Sequence, residues 1–191
     1  MSSLQLAPEK TALVLIDLQH GITGRPNAGP YTTKEVVEKS RLLVDHFRAK
    51  GATVVFVRVK LDEFLQLPAD ESMRDPNAPP PPTIASEIVP EAGFQEGDLL
   101  ITKRHWGAFA GTELEQELKK RGVETVVLAG IATNIGVEST ARQGTGLGFA
   151  FVVVEDACTS LSADLHRFAF ENIFPRLARV RKTDEVIAAL G

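Results

Sequence analysis

At 191 residues, with 43% apolar and 24% charged side chains, the chain fits one soluble globular domain spanning residues 1–191. Its formal charge of −4 carries no basic stripe, which argues against a nucleic-acid partner, and no apolar run approaches the roughly 20 residues of a membrane span. The single cysteine excludes an internal disulfide, and the opening MSSLQLAPEK lacks a secretory pattern, so a cytoplasmic setting is expected.

The first element is ALVLID (12–17), a wholly apolar run ending in an acid. TTKEVVEKSRLLVDHFRAKG (32–51) opens on a Thr-x-x-Glu capping signal, places Val36, Val37, Leu43, Val44 and Phe47 on one face, and stops at Gly51, so it is read as a helix. ATVVFVRV (52–59) is a second strand. The stretch 61–97 contains DPNAPPPPT, whose prolines forbid regular structure, and is read as an extended surface segment. Such a segment is a plain connection, a cover over a site, or a contact with a neighbouring subunit. LLIT (99–102), TVVLAG (125–130), FAFVVVED (149–156) and the weaker LARVRK (177–182) are further strands, with helices expected over 111–122, 134–146, 162–173 and 183–190. Near-continuous apolar strands alternating with helices predict a three-layer α/β/α sandwich around a mostly parallel six-stranded sheet.

Ligands of such sheets bind beyond the carboxyl ends of the strands. Those ends carry Asp17, Lys103, the turn 130–136 and Asp156. Asp17, Lys103 and the turn supply an acid, a base and a set of helix-start amides for one crevice. Each has a plainer reading, as a cap, a solvated strand-end charge and a simple connection. GTGLG (144–148) imitates a dinucleotide fingerprint but precedes a strand instead of following one, so it is read as a helix end. The histidines at 20, 46, 105 and 166 lack the spacing of a zinc site, and neither a metal nor a cofactor is expected. Cys158 has no histidine near it in sequence and is read as an inert core thiol. Arg58 and Lys60, after the second strand, are candidates for holding an anionic substrate or for a solvated surface.

ALVLIDLQHGI, ITKRHWGAF, VVLAGIATNIGVESTAR and VVVEDACTS, in that order, resemble the isochorismatase-like hydrolase superfamily, also called the cysteine hydrolases. The resemblance covers about residues 11–190. It implies a small-molecule substrate, a homodimer or homotetramer, Asp17 as general acid/base, and Lys103 with Ala108 and Phe109 as the Lys-x-x-x-x-Ala-Phe motif. It also implies a cis peptide at Ile131-Ala132 and an oxyanion hole formed by the Ala132 and Gly136 amides. Trp106 and Phe109 would wall the substrate pocket. The superfamily's cysteine nucleophile falls at Gly136, which carries no sulfur and so excludes thioester chemistry. Isochorismatases also carry glycine there, and hydrolyse a vinyl ether by proton transfer from an aspartic acid followed by attack of water. The expected activity is therefore cofactor-independent hydrolysis by Asp17 without a covalent nucleophile. The alternative is a catalytically silent binding protein on the same fold. Where isochorismatases typically place a tyrosine, this chain has Ala132, which leaves the substrate open. That chemistry needs a protonated Asp17; burial would raise its pKa and the Lys103 ammonium would lower it.

Overall fold

A computed structural model describes residues 4–73, 75 and 77–191. Strand β1 (Thr11–Ile16) is buried along its whole length, as the unbroken apolar run requires. After a one-turn helix α1 (His20–Thr23), helix α2 (Thr33–Ala49) begins with the expected capping box: Thr32 accepts from the Glu35 N–H while the Glu35 carboxylate accepts from the Thr32 N–H. Val36, Val37, Ser40, Leu43, Val44 and Phe47 form its buried face. Strands β2 (Thr53–Val59) and β3 (Leu99–Lys103) enclose the proline-rich segment, whose described residues hold short 3-10 turns at Leu61–Glu63, Thr83–Ser86 and Pro90–Ala92 and an isolated bridge from Ile88 to Gln19.

Helix α3 (Leu114–Lys120) starts three residues later than the pattern predicts, because Gly111 takes a left-handed φ of 70° and Thr112 Oγ1 accepts from the Leu114 N–H. Then follow β4 (Thr125–Ile131), a π-helical turn (Thr133–Val137), α4 (Glu138–Gly146) and β5 (Ala150–Thr159). The single helix expected over 162–173 is instead α5 (Ala163–Phe168), a π-helical turn (Ala169–Ile173) and α6 (Phe174–Leu177), whose first turn holds a proline. Strand β6 (Arg179–Arg181) and α7 (Thr183–Ala189) complete the chain. Among the described residues no helix is long and apolar enough to cross a membrane.

The six strands are all parallel, in the order β3-β2-β1-β4-β5-β6. The order reverses between β1 and β4, and there the connections leave on opposite faces and open a crevice. Close approach of those two strands requires Gly130: its φ is 124°, and a Cβ would overlap the Ile16 carbonyl oxygen. Strand β5 runs three residues past the predicted end. Asp156 is consequently inside the strand and not at its exit, and its carboxylate caps α7 by accepting from the Thr183 N–H and hydroxyl at 2.7 and 2.8 Å.

Candidate active site

The crevice at the β1/β4 junction is a cavity of about 300 Å³. Asp17 stands at its floor, one residue past β1, with a left-handed φ of 55° that turns it off the strand. Its N–H donates to the Val57 carbonyl at 2.8 Å, which holds that conformation, one that aspartate tolerates better than most residues. The residue is 6% exposed. Oδ2 accepts from Lys103 Nζ at 2.8 Å, while Oδ1 is buried with no hydrogen-bond partner among the described residues. Lys103 is 2% exposed and also donates to the His105 carbonyl at 3.1 Å. Two strand spacings, roughly 10 Å, separate β3 from β1, a gap the long lysine side chain bridges. Burial pushes the Asp17 carboxyl above the usual carboxylate range, against the opposing pull of the Lys103 ammonium and its hydrogen bond.

Ile131, Ala132 and Gly136 line the same cavity, and the Ile131-Ala132 peptide is cis. Gly136 fills its place tightly. A Cβ there would lie 2.8 Å from Ile16 Cγ2, 3.3 Å from Asp17 Oδ2 and 3.5 Å from the Trp106 carbonyl oxygen. The first distance falls well short of the ~3.5–4.0 Å optimum for two carbons. Ile16 and Asp17 already occupy the space that a side chain at 136 would need.

The proline-rich segment turns out to be a wall of the cavity. Leu61, Phe64, Gln66, Met73, Pro79 and Pro81 all face it. Phe64 stacks on His105 at 5.4 Å between centroids, and His105 stacks on Trp106 at 5.9 Å, so this segment and the β3 exit share one aromatic pile. The indole N–H of Trp106 is buried without a hydrogen-bond partner among the described residues. Gln19, fully buried, ties these parts together: its amide donates to the Val59 and Ala85 carbonyls, both at 3.0 Å, and accepts from the Val59 N–H at 2.8 Å. Its only signal in the sequence is a polar amide two residues beyond a buried acid.

Of the predicted site residues, Asp17, Lys103, Trp106, Ile131, Ala132 and Gly136 meet at the cavity. Phe109 does not. It is 6% exposed in the core, stacked on Phe149 at 5.7 Å, because its backbone is drawn toward α4 by the Gln143 side chain. Arg58 bonds sideways to Thr102 Oγ1, and Lys60 pairs with Glu63, so neither lies in the cavity wall. Besides Lys103, the cation that does is Arg25, exposed, and without an ion pair among the described residues. Nothing in its local pattern separates it from a surface arginine. Cys158 is fully buried, and burial drives its thiol far above the usual range, which removes it as a nucleophile.

Comparison with known proteins agrees with this fold. The isochorismatase domain model matches residues 11–185. The isochorismatase family protein YecD of Escherichia coli O157:H7 is 45% identical, the match covering 98% of this chain and 100% of that protein. The ureidoacrylate amidohydrolase RutB of Acinetobacter baylyi is 30% identical over 90% of this chain and 80% of its own. The solved structure of an isochorismatase family protein from Burkholderia thailandensis superposes with a TM-score of 0.90 at 40% identity, covering 99% of each chain. The chain is a member of the isochorismatase family of hydrolases.

Proposed function

We propose that this protein hydrolyses a small anionic molecule of vinyl ether type, with Asp17 as general acid and base, water as nucleophile and no covalent intermediate. The observation that carries the reading is the closed space at Gly136, where Ile16 Cγ2 would stand 2.8 Å from any Cβ. A site emptied of a cysteine would keep room for one. Instead the residues around Gly136 are packed for glycine, and the chemistry falls to Asp17.

The reaction requires a protonated Asp17, which burial favours, and that proton is assigned to Oδ1, the oxygen Lys103 leaves free. Asp17 gives it to the terminal vinyl carbon, producing an oxocarbenium ion and a carboxylate stabilised by Lys103 Nζ. Water adds to the oxocarbenium carbon while the carboxylate takes its proton back. The resulting hemiketal breaks its C–O bond to release an alcohol and a ketone, the net addition of one water. Ala132 and Gly136 are assigned to the substrate oxygen. Arg25 supports an anionic substrate, since beside a protonated Asp17 the cavity carries two cations, Lys103 and Arg25, in a chain of net charge −4.

The test is product analysis by mass spectrometry with vinyl ether acids, and with amides such as ureidoacrylate, in water enriched in ¹⁸O. Expected are label in the ketone product, no enzyme adduct, and a loss of roughly 10²–10⁴-fold for Asp17→Asn. Amide cleavage that survives Asp17→Asn, or binding with no turnover of any substrate, refutes the reading; the second outcome leaves a binding protein.

A further inference from the structure

Beneath the turn that carries Ala132 and Gly136 lies a titratable group that the reaction does not use. His166, on α5, is 3% exposed. Its Nδ1 is 2.9 Å from the hydroxyl of Thr133, the first residue of the π-helical turn, and Thr133 is itself fully buried. Its Nε2 faces Glu155 Oε1 at 3.4 Å, and the same carboxylate oxygen accepts from the Tyr31 hydroxyl at 2.9 Å. The Tyr31 ring meets the imidazole edge-on at 5.9 Å, and Phe170 closes the remaining side at 4.5 Å.

The partners dictate the tautomer. An ionised carboxylate only accepts, so Nε2 carries the hydrogen, Nδ1 is a bare lone pair, and the Thr133 hydroxyl donates to it. Protonation of the ring would put a second N–H opposite that hydroxyl. Thr133 would have to rotate its hydrogen away inside a fully buried space, at the residue next to Ala132 and three before Gly136. The turn is joined by hydrogen bonds and close contact to the segment that carries Trp106. Thr140 Oγ1 donates to the Gly136 carbonyl at 2.7 Å and accepts from the Ala108 N–H at 3.1 Å, and the Trp106 carbonyl lies 3.5 Å from where a Gly136 Cβ would be.

We propose that His166 is a positioning residue: as a neutral imidazole hydrogen-bonded to Thr133 it holds the 133–137 turn in its substrate-accepting shape, and protonation of the ring releases that shape. The proposal rests on the cavity assigned above as the substrate site and is independent of which bond is broken there. The charged and titratable groups around the ring are few. Glu155 comes from β5 and Tyr31 from the loop before α2. Tyr31 is pushed up to about 12 by burial and by its bond to Glu155, so it remains a donor. Asp156 is turned away, engaged by Thr183 and Lys39. Burial lowers the His166 pKa against the raising effect of Glu155, so the imidazole stays neutral at neutral pH.

The chain's single tryptophan, Trp106, lies in the cavity and reports on it. Its emission, together with the backbone amide signal of Gly136, is followed from pH 8 to pH 5 in the full-length protein at micromolar and NMR concentrations. The wild type should show a transition with a midpoint below the ordinary imidazole value of 6.5. His166→Gln offers Thr133 an acceptor and Glu155 a donor but cannot be charged. It should keep the wild-type signals at pH 8 and lose that transition, and it retains Asp17, whose own titration it therefore controls for. His166→Phe fills the space without either bond and should shift both signals already at pH 8 while far-UV circular dichroism remains native. A transition unchanged in His166→Gln overturns the proposal, as does a folded His166→Phe whose Gly136 and Trp106 signals match the wild type. A failure here leaves the acid/base assignment of Asp17 standing, because neither readout involves turnover.

Discussion

Replacing Gly136 with alanine tests whether the site is built around glycine or merely lacks a cysteine. The added methyl would sit 2.8 Å from Ile16 Cγ2 and 3.3 Å from Asp17 Oδ2. Ile16 is fully buried and β-branched, so its methyl cannot turn aside without carrying the rest of the side chain into packed neighbours. Overpacking of this kind costs about 1–3 kcal/mol, and a rigid neighbour places it in the upper half of that range. Alanine in a helical turn returns about 0.5–1 kcal/mol of backbone entropy. The net expectation is a destabilisation of about 1–2 kcal/mol, a fall in Tm of roughly 2–8 °C for a chain of this size. Urea unfolding followed by far-UV circular dichroism measures it, with the midpoint falling and the slope unchanged. In a cycle with Ile16→Ala, the two substitutions should couple favourably by about 1 kcal/mol, since the second removes the obstructing methyl. A Gly136→Ala protein as stable as wild type, with zero coupling to Ile16, would mean that the space is open and that glycine marks a lost nucleophile.

Other outcomes follow from the same geometry. Asp17→Asn sets a neutral amide opposite the buried Lys103 ammonium in place of a protonated carboxyl, so at pH 7 it should cost no more than about 1 kcal/mol, and the double variant Asp17→Asn with Lys103→Met should be at least as stable; a loss of about 3–5 kcal/mol for the single variant would show an ionised pair instead. Because the native Asp17 carboxyl holds its proton above the unfolded value of 3.8, wild-type stability relative to the double variant should decline as pH rises from there through the native pKa; a difference flat with pH would contradict the raised carboxyl. Cys158 should react with thiol reagents only on unfolding, and rapid modification of the native protein would contradict its burial. Leu161, Leu165 and Phe168 form an exposed apolar strip at and beside α5 that a homo-oligomer would cover, so light scattering should give more than one chain per particle, and Phe168→Glu should shift the mass toward a monomer.

The sheet was readable because its signals are local. A strand buried on both faces must be apolar throughout, and runs such as TALVLI and TVVLAGI therefore announce themselves. The helix at 33–49 was readable from a capping box that operates within four residues. Once the strands are parallel, Asp17, Lys103 and the turn at 132–136 have to emerge at one edge, and they do. Errors in the expected elements came at boundaries and in side-chain direction. Asp156 looked like a strand exit because charge follows VVV, yet β5 continues to Thr159 beside Ile131. Phe109 looked like a pocket wall, but Gln143, thirty-four residues away, draws its backbone toward α4.

From its residues alone, then, the chain determined its layers, the edge of the sheet where the candidate site lies, and the absence of a sulfur nucleophile in that turn. Tertiary structure decided what depends on contacts distant in sequence. It set the balance between burial and Lys103 at Asp17, 86 positions away from it, and the filling of the Gly136 space by Ile16. It also placed the proline-rich segment as a wall, with Arg25 as a cavity cation besides Lys103 and His166 behind Thr133. Periodicity and composition encode which face of an element is apolar, whereas a pKa, a steric fit or a cavity charge is a sum over neighbours that only the folded chain brings together.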